Sequence, residues 1–201
     1  MERHKALTLK AIVLAMTACL QTGSAETISA PNLVAAAGTS GSFDILLTNV
    51  GGEIGAFSFD IVASDPRLQF TNATVATTVP YVFVGNSFDQ INGFPLATKT
   101  GQELLASDAA NNGSMVVFAP VALGRVFYTV APSIPVDSSI AITFGAATSL
   151  VGPSGYRFPI STVNGAITIV PEPDQMPLLF ALLLVVLRVS GIVVRYRNNE
   201  C

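Results

Sequence analysis

The chain has 201 residues, of which 50% are hydrophobic and 11% are charged, and its formal net charge is −3. The absence of a basic excess argues against nucleic acid as a partner. The single histidine, His4, and the two cysteines, Cys19 and Cys201, lie near the ends, so the central part offers neither a Ser-His-Asp nor a Cys-His catalytic arrangement and lacks the ligands that zinc prefers.

Residues 1–25 have the organisation of a secretory signal peptide. Three basic residues precede the apolar stretch 11–18, which is too short to span a membrane, and small residues stand three and one positions before a cut between Ala25 and Glu26. An alternative stays open: Cys19 follows a sequence that loosely resembles a lipoprotein signal, in which this cysteine would be lipidated. Either interpretation predicts export.

Residues 26–170 form a body of about 145 residues, the size of one ordinary domain. Nine acidic and four basic residues lie in it, which gives a charge of −5. It contains no cysteine, so internal disulfides cannot stabilise it. Its frequent Phe, Val and Ile residues predict a folded core and not a disordered chain.

The body has the pattern of strands separated by turns. In residues 43–47 and 57–61, apolar and polar side chains alternate on either side of a Gly-Gly turn at residues 51 and 52, as in half-buried antiparallel strands. Further strands are predicted at 81–84, 115–119, 121–130, 140–144 and 166–170. Only residues 100–110 favour a short helical turn. The pattern predicts an all-β fold, a two-sheet antiparallel sandwich.

Five segments of the body resemble cohesin-type domains. Residues 38–42, 56–61 and 64–70 resemble the opening of such domains, and residues 123–130 and 163–169 resemble a late core strand and the closing strand. The resemblance implies a nine-stranded jelly-roll-like sandwich that binds a dockerin module through one sheet face. Because the shared pattern marks the core, it transfers no binding residues.

One carboxylate pair is a candidate for acid–base chemistry. Asp44 and Asp60 occupy matching positions on adjacent predicted strands, an arrangement in which two acids can work across a sugar bond as in a glycosidase. Both residues alternate with the apolar face, however, and are expected to point to water. Two solvated acids are therefore the favoured interpretation.

A calcium loop and a sugar-binding surface are the remaining candidates in the body. Residues 108–113 partly match a calcium loop, but Ala110 and Ala119 replace oxygen-bearing residues, so a turn is favoured and no metal or cofactor is predicted. The chain has no tryptophan for sugar stacking, and Tyr81, Tyr128 and Tyr156 are expected in the core or at its rim. Residues 149–159 are the expected exposed recognition loop.

The last predicted element is a membrane-spanning helix over residues 176–194. A mostly apolar run of roughly 18 or more residues can cross a bilayer core, and here Arg188 is close enough to the end to extend toward the interface. Acidic residues precede the run, whereas Arg195 and Arg197 follow it, which predicts a cytoplasmic C-terminus and a body outside the membrane. A buried core helix is the alternative.

The C-terminal residues carry a second resemblance. Val170, Pro171, Glu172 and Pro173, followed by the apolar helix and the terminal arginines, resemble the PEP-CTERM sorting signal of exported bacterial proteins. The resemblance implies recognition by an exosortase, a membrane enzyme expected to cut near this motif and to release the body or re-attach it at the cell surface. It also implies a bacterium that builds exopolysaccharide or biofilm matrix. Residues 171–201 are therefore assigned to sorting.

Three functional hypotheses follow from the sequence. The first is an exported, surface-anchored, non-enzymatic sandwich that interacts with extracellular polysaccharide or with a secreted protein. The second is a cohesin-like receptor for a dockerin-type module. The third and least favoured is a carboxylate glycosidase built on Asp44 and Asp60.

Overall fold

The computed structural model describes residues 25–118 and 120–172. Within these ranges the chain forms strands and one short helix. The strands are β1 (Glu26–Ser29), β2 (Asn32–Ala36), β3 (Ser40–Thr48), β4 (Glu53–Ile54), β5 (Ala56–Ala63), β6 (Leu68–Thr74), β7 (Ala97–Lys99), β8 (Glu103–Ala109), β9 (Met115–Val116), β10 (Val121–Val130), β11 (Ser139–Phe144), β12 (Ser149–Val151), β13 (Ile160–Val163) and β14 (Gly165–Val170), and helix α1 (Phe88–Asn92) lies between β6 and β7.

The strands form two main sheets that face each other. The five-stranded sheet has the order β13-β1-β3-β10-β6, and the seven-stranded sheet has the order β2-β14-β11-β5-β8-β7 with β12 beside β5. β4 and β9 form a separate two-stranded ribbon. The predicted all-β, two-sheet sandwich is confirmed.

The alternation of side chains along β5 shows why these strands share one core. Phe57, Phe59 and Ile61 are at most 3% exposed, whereas Ser58 and Asp60 lie on the other face. β10, in the middle of its sheet between β3 and β6, is buried along most of its length. Among the residues that the structure describes, the core side chains lie between positions 28 and 169.

The first and last segments of the body run side by side through both sheets. β1 pairs with β13 in a parallel register in one sheet, and β2 pairs with β14 in a parallel register in the other. The chain changes sheets at Ala30 and Pro31 in the first segment and at Asn164 in the last, and the Ala30 amide donates to the Val163 carbonyl at the crossing. The two ends of the body thereby hold the two sheets together.

The registers place the C-terminal exit and Asp108 at opposite ends of the sandwich. Asp108 on β8 pairs with Phe57 on β5, and Ala63, six residues further along β5, is level through β11 with Gly165 on β14. Val170 lies five residues beyond Gly165 in the same direction. These eleven residues, at about 3.3 Å each, separate Asp108 from the exit by on the order of 30 Å.

Three local predictions are wrong, and one element was missed. Residues 100–110 contain strand β8 in place of a helical turn. This strand pairs with β5 and β7 and buries every second side chain in the core. Residues 81–84 form a turn in which only Tyr81 bridges to β10, and the predicted strand 115–119 is limited to Met115–Val116. The short helix α1 was not predicted.

Gly165 lies where the two terminal segments cross. A β-carbon at this position would lie against the Pro31 carbonyl oxygen, well inside contact distance, and about 2.9 Å from the Ala30 carbonyl group. These neighbours are backbone atoms of the short connection between β1 and β2, two strands that are each paired in a sheet, so they cannot move aside as a flexible side chain can. Gly51, in contrast, has no atom within 4 Å of the same position.

We therefore expect Gly165→Ala to destabilise residues 26–172 by about 1–3 kcal/mol, the usual cost of overpacking a close contact. Gly51→Ala is the matched control and should change the free energy of unfolding by less than about 0.5 kcal/mol. Urea unfolding followed by circular dichroism measures both. Equal effects of the two substitutions would contradict the proposed crossing.

Candidate functional site

A buried carboxylate organises the surface around α1. Asp108 is 4% exposed and accepts hydrogen bonds from the Tyr81 hydroxyl at 2.6 Å and the Ser87 hydroxyl at 2.5 Å. Its other oxygen accepts the backbone N–H groups of Asp89 at 3.1 Å and Ala109 at 2.7 Å. Burial and the hydrogen bond to Asp108 raise the pKa of Tyr81, which therefore stays protonated and continues to donate.

The residues at the two ends of α1 explain why this short helix forms. Ser87 is the N-cap of α1, and its hydroxyl oxygen accepts the Gln90 amide at 3.0 Å. Gly93 ends the helix in the left-handed conformation, with φ 73°. Ser87 thus caps the helix and binds Asp108 at the same time, so the start of α1 is fixed to β8.

Further hydrogen bonds attach the segment before α1 to the rest of the sandwich. Asn86 accepts the Asn111 amide on its backbone carbonyl at 2.7 Å and the Asn112 amide on its side chain at 3.0 Å. The Val82 amide donates to the carbonyl of Ala122, which lies on β10, at 2.9 Å. Phe83 is fully buried beside Tyr81, with ring centroids 6.3 Å apart. Residues 81–87 thus have an irregular backbone, but hydrogen bonds attach them to β10 on one side and to residues 111 and 112 on the other.

This frame carries several exposed apolar side chains. Val84 is 66% exposed, Phe88 42%, Ile91 56% and Phe94 57%. The rings of Phe88 and Phe94 stack on each other with centroids 6.1 Å apart. We call these four residues the α1 surface. Exposed apolar groups clustered within one short segment indicate an interaction site more strongly than scattered ones.

A groove of about 310 Å³ lies next to the α1 surface. Its walls are the end of β6, including Ala73 and Val75, and the segment that leaves α1, including Phe94 and Leu96. Asp89 lies at its edge. Partial burial raises the pKa of Asp89, and the neighbouring charge of Asp108 raises it further. In residues 25–118 and 120–172 neither carboxylate forms a salt bridge.

Asp44 and Asp60, the predicted acid pair, do not come together. Asp44 is on β3 in one sheet and Asp60 is on β5 in the other. The prediction failed because the chain crosses between the sheets after β3, through β4, where the sequence pattern fits a hairpin equally well. The pair on which the glycosidase hypothesis depends is therefore not formed.

Asp44 is also not solvated, contrary to expectation. Its side chain is 7% exposed, and Arg125 on the neighbouring β10 donates to it at 2.8 Å. Burial alone would raise the pKa of Asp44, but the hydrogen bonds from Arg125 and Thr78 outweigh it and hold this pKa below its usual value. Asp60 is half-buried, and one of its oxygens is packed against Gly145.

Solved structures similar to this chain are cohesins. The sixth cohesin of Acetivibrio cellulolyticus scaffoldin B, solved in complex with a Cel5 dockerin, has a TM-score of 0.59 at 11% identity, over 73% of this chain and 99% of the cohesin. A non-cellulosomal cohesin from Archaeoglobus fulgidus has a TM-score of 0.56 at 18% identity, over 76% and 96%. CaCohA2 from Clostridium acetobutylicum has a TM-score of 0.59 at 14% identity, over 74% and 92%.

The body has the cohesin fold. The sandwich implied by the sequence resemblance is therefore confirmed, but the described residues form fourteen strands and not nine. Identities this low carry no information about ligands. No family model and no curated protein sequence matches the chain.

The cohesin-like body uses the predicted calcium segment for structure. Both oxygens of Asp108 accept protein donors, and the amides of Asn111 and Asn112 bond to Asn86. Residues 111–113 form a bend that ends at Gly113, with φ 69°. The favoured turn is therefore limited to residues 111–113, because Asp108 and Ala109 end strand β8.

The predicted aromatic residues divide into two groups. Tyr81 and Tyr128 are each 5% exposed and belong to the core, as expected. Tyr156 is 60% exposed and packs edge-on against Phe158. The predicted loop 149–159 begins with strand β12 and then turns, so only its middle is an exposed loop.

The predicted terminal signals adjoin the first and last strands of the body. Ala25 directly precedes β1. The first residue of β1, Glu26, is buried. β14 ends at Val170, and the exposed Pro171 and Glu172 follow it. A proline lacks the N–H that would continue the ladder.

Several predicted signal residues lie outside the described part of the chain. These are residues 1–24 with Cys19, Pro173, the predicted span 176–194, Arg188, Arg195 and Arg197. Across residues 25–118 and 120–172, no helix has the length and hydropathy needed to cross a membrane.

Sequence analysis did not find the α1 surface, although a signal was present. Ser87 and Gly93 have the spacing of an N-cap and a C-cap around a single helical turn and a half. A run this short has no visible 3.6-residue period. The partnership of Ser87 with Asp108, 21 residues away, has no sequence signature.

We expect Asp108→Ala to destabilise residues 26–172 by at least about 2 kcal/mol, because four donors lose their buried acceptor. Amide hydrogen exchange should accelerate in residues 86–94 more than in β3 or β10. Glu103→Ala, which removes an exposed ion pair with Lys99, is the control and should cost less than about 1 kcal/mol. Unchanged exchange in residues 86–94 would contradict the role assigned to Asp108.

Proposed function

We propose that this protein is an exported, non-catalytic binding module that uses its α1 surface to hold another secreted protein. The observation that carries the proposal is the exposure of four apolar side chains on a segment fixed by the buried Asp108. Such exposure opposes solubility unless a partner covers the surface. A fixed segment also loses little conformational entropy on binding.

The cohesin fold supports a protein as the partner. Several of the similar structures were solved as cohesin–dockerin complexes, including one from Acetivibrio cellulolyticus and one from Clostridium thermocellum. A dockerin-type module is therefore one form that the partner takes in this proposal, and it binds at the α1 surface, whereas the sequence resemblance implied binding through a sheet face. Extracellular polysaccharide is the competing partner, and the lack of tryptophan in the chain weighs against it.

Export and anchoring are part of the same proposal. The signal peptide before Glu26 directs the chain across the membrane, and an exosortase recognises Pro171, Glu172 and Pro173 together with the span 176–194. The body then stands outside the membrane, either anchored by this span or released or re-attached at the surface after cleavage. Because the α1 surface and Val170 lie at opposite ends of the sandwich, an anchored body presents the α1 surface away from the membrane.

Expression in a bacterial host with an exosortase, and in the same host without one, tests the sorting. We expect a mature N-terminus at Glu26 in both hosts, and a loss of mass corresponding to the C-terminal segment only with the exosortase. Glu172→Ala should abolish the second cut and leave the first. Intact mass spectrometry of the exported protein measures both. An uncut C-terminus in both hosts would remove exosortase sorting from the proposal.

Affinity capture tests the binding. Immobilised residues 26–172 are exposed to the secreted proteins and, separately, to the extracellular polysaccharide of the producing bacterium. We expect a protein to be retained, and the double variant Phe88→Ser/Phe94→Ser to lose most of it. Val34→Ser, which changes a side chain that is 69% exposed on β2, is the control and should retain the protein fully.

Two results would contradict this function. Retention of polysaccharide without protein would assign the module to matrix adhesion. Retention of a protein to the same extent by the double variant would show that the α1 surface is not the binding site.

A further inference from the structure

The groove beside α1 has the dimensions of a side-chain pocket. Its volume of about 310 Å³ lies at the lower limit of ordinary ligand pockets. Residues 72–75 form one wall, Phe94, Pro95 and Leu96 form the other, and Asp89, Gln90 and Gly93 complete the lining. The walls are mainly apolar, so an apolar side chain is the group that the groove accommodates best.

The charge at the edge of the groove is negative and has no partner among the described residues. Asp89 lines the groove, and the Asp108 carboxylate lies behind it, hydrogen-bonded to the Asp89 backbone N–H. Arg125 is opposite Thr74 of the groove in the strand register, but its guanidinium binds Asp44. The carboxylate of Asp89 would therefore attract a cation brought by a partner. No lysine or arginine of the described residues forms a salt bridge with this carboxylate.

Phe88 and Phe94 are also placed to contact such a cation. Phe94 lines the groove together with Asp89, and Phe88 stacks on Phe94; the two side chains are 57% and 42% exposed. A lysine or arginine within about 6 Å of an aromatic face is attracted by its quadrupole. The aromatic pair and Asp89 thus favour the same kind of partner group.

We propose that the groove binds a protein segment in which an apolar side chain stands next to a lysine or arginine. The apolar side chain enters between β6 and the Phe94 segment, and the cation pairs with Asp89. This inference rests on the proposed function and specifies the chemistry of its partner.

The same charges disfavour two other occupants of the groove. A symmetric contact with a second copy of the chain would bring Asp89 close to its own counterpart, and the body carries nine acidic and four basic residues. A bilayer of anionic lipids would be repelled as well. A basic apolar protein segment satisfies both the groove and its edge.

Selection from a displayed library of random peptides tests the inference and does not require the partner protein to be identified. The target is the full chain in nanodiscs of zwitterionic lipid, and empty nanodiscs remove peptides that bind lipid. We expect the selected peptides to share an apolar residue beside lysine or arginine. Selection on Asp89→Lys should instead enrich aspartate or glutamate at the same place.

Binding constants of the selected peptides provide the quantitative readout. Asp89→Lys and Phe94→Ser should each weaken binding by about tenfold or more, because one replaces attraction by repulsion and the other removes a groove wall. Glu103→Gln removes a negative charge elsewhere and should leave the constants unchanged. Thermal unfolding of each variant verifies that it is folded.

Selected peptides without a basic preference, or peptides that bind Asp89→Lys as tightly as the wild type, would overturn the inference. If the captured secreted protein also bound Asp89→Lys unchanged but lost affinity for Phe88→Ser/Phe94→Ser, the proposed function would stand and only the assigned partner chemistry would fall. Failure to capture any protein, together with failure to enrich peptides, would remove both.

Discussion

The α1 surface, the proposed binding site, depends on one buried carboxylate. Asp108 is almost fully removed from solvent, and its cost of burial is offset by two hydroxyl and two amide donors. Three of these donors belong to residues 81–89, which have little regular structure of their own. A chain segment that would otherwise fluctuate is therefore fixed to β8. The apolar side chains of the α1 surface are held outward by this anchorage.

The crossing of the terminal segments determines how that surface is presented. β1 pairs with β13 in one sheet and β2 pairs with β14 in the other, so the first and last segments of the body connect the two sheets. In consequence the exit at Val170 is at the end of the sandwich away from Asp108. A membrane anchor attached after β14 and a binding surface at α1 are compatible because the rigid sheets separate them.

The two acidic clusters illustrate how burial and partners assign different roles to the same residue type. Asp44 has the Arg125 guanidinium beside it, which compensates its charge and lowers its pKa, so the pair acts within the fold. Asp108 has hydroxyl and amide donors, and Asp89 nearby has a raised pKa from burial and from the Asp108 charge. This second cluster keeps an unbalanced negative charge at the surface, where a partner's cation is able to reach it.

The sequence by itself determined the core alternation of β3, β5 and β10 and the two-sheet class, because side-chain periodicity is a local property. The terminal signals were predicted from the sequence in the same way. Only the tertiary structure decided which carboxylates meet which partners. Tyr81 and Asp108 are 27 residues apart, and Arg125 and Asp44 are 81 apart, so their contacts depend on how strands cross between sheets. Helix α1 was likewise invisible to periodicity, since five residues are stabilised by a cap and a distant carboxylate and not by a repeating apolar face.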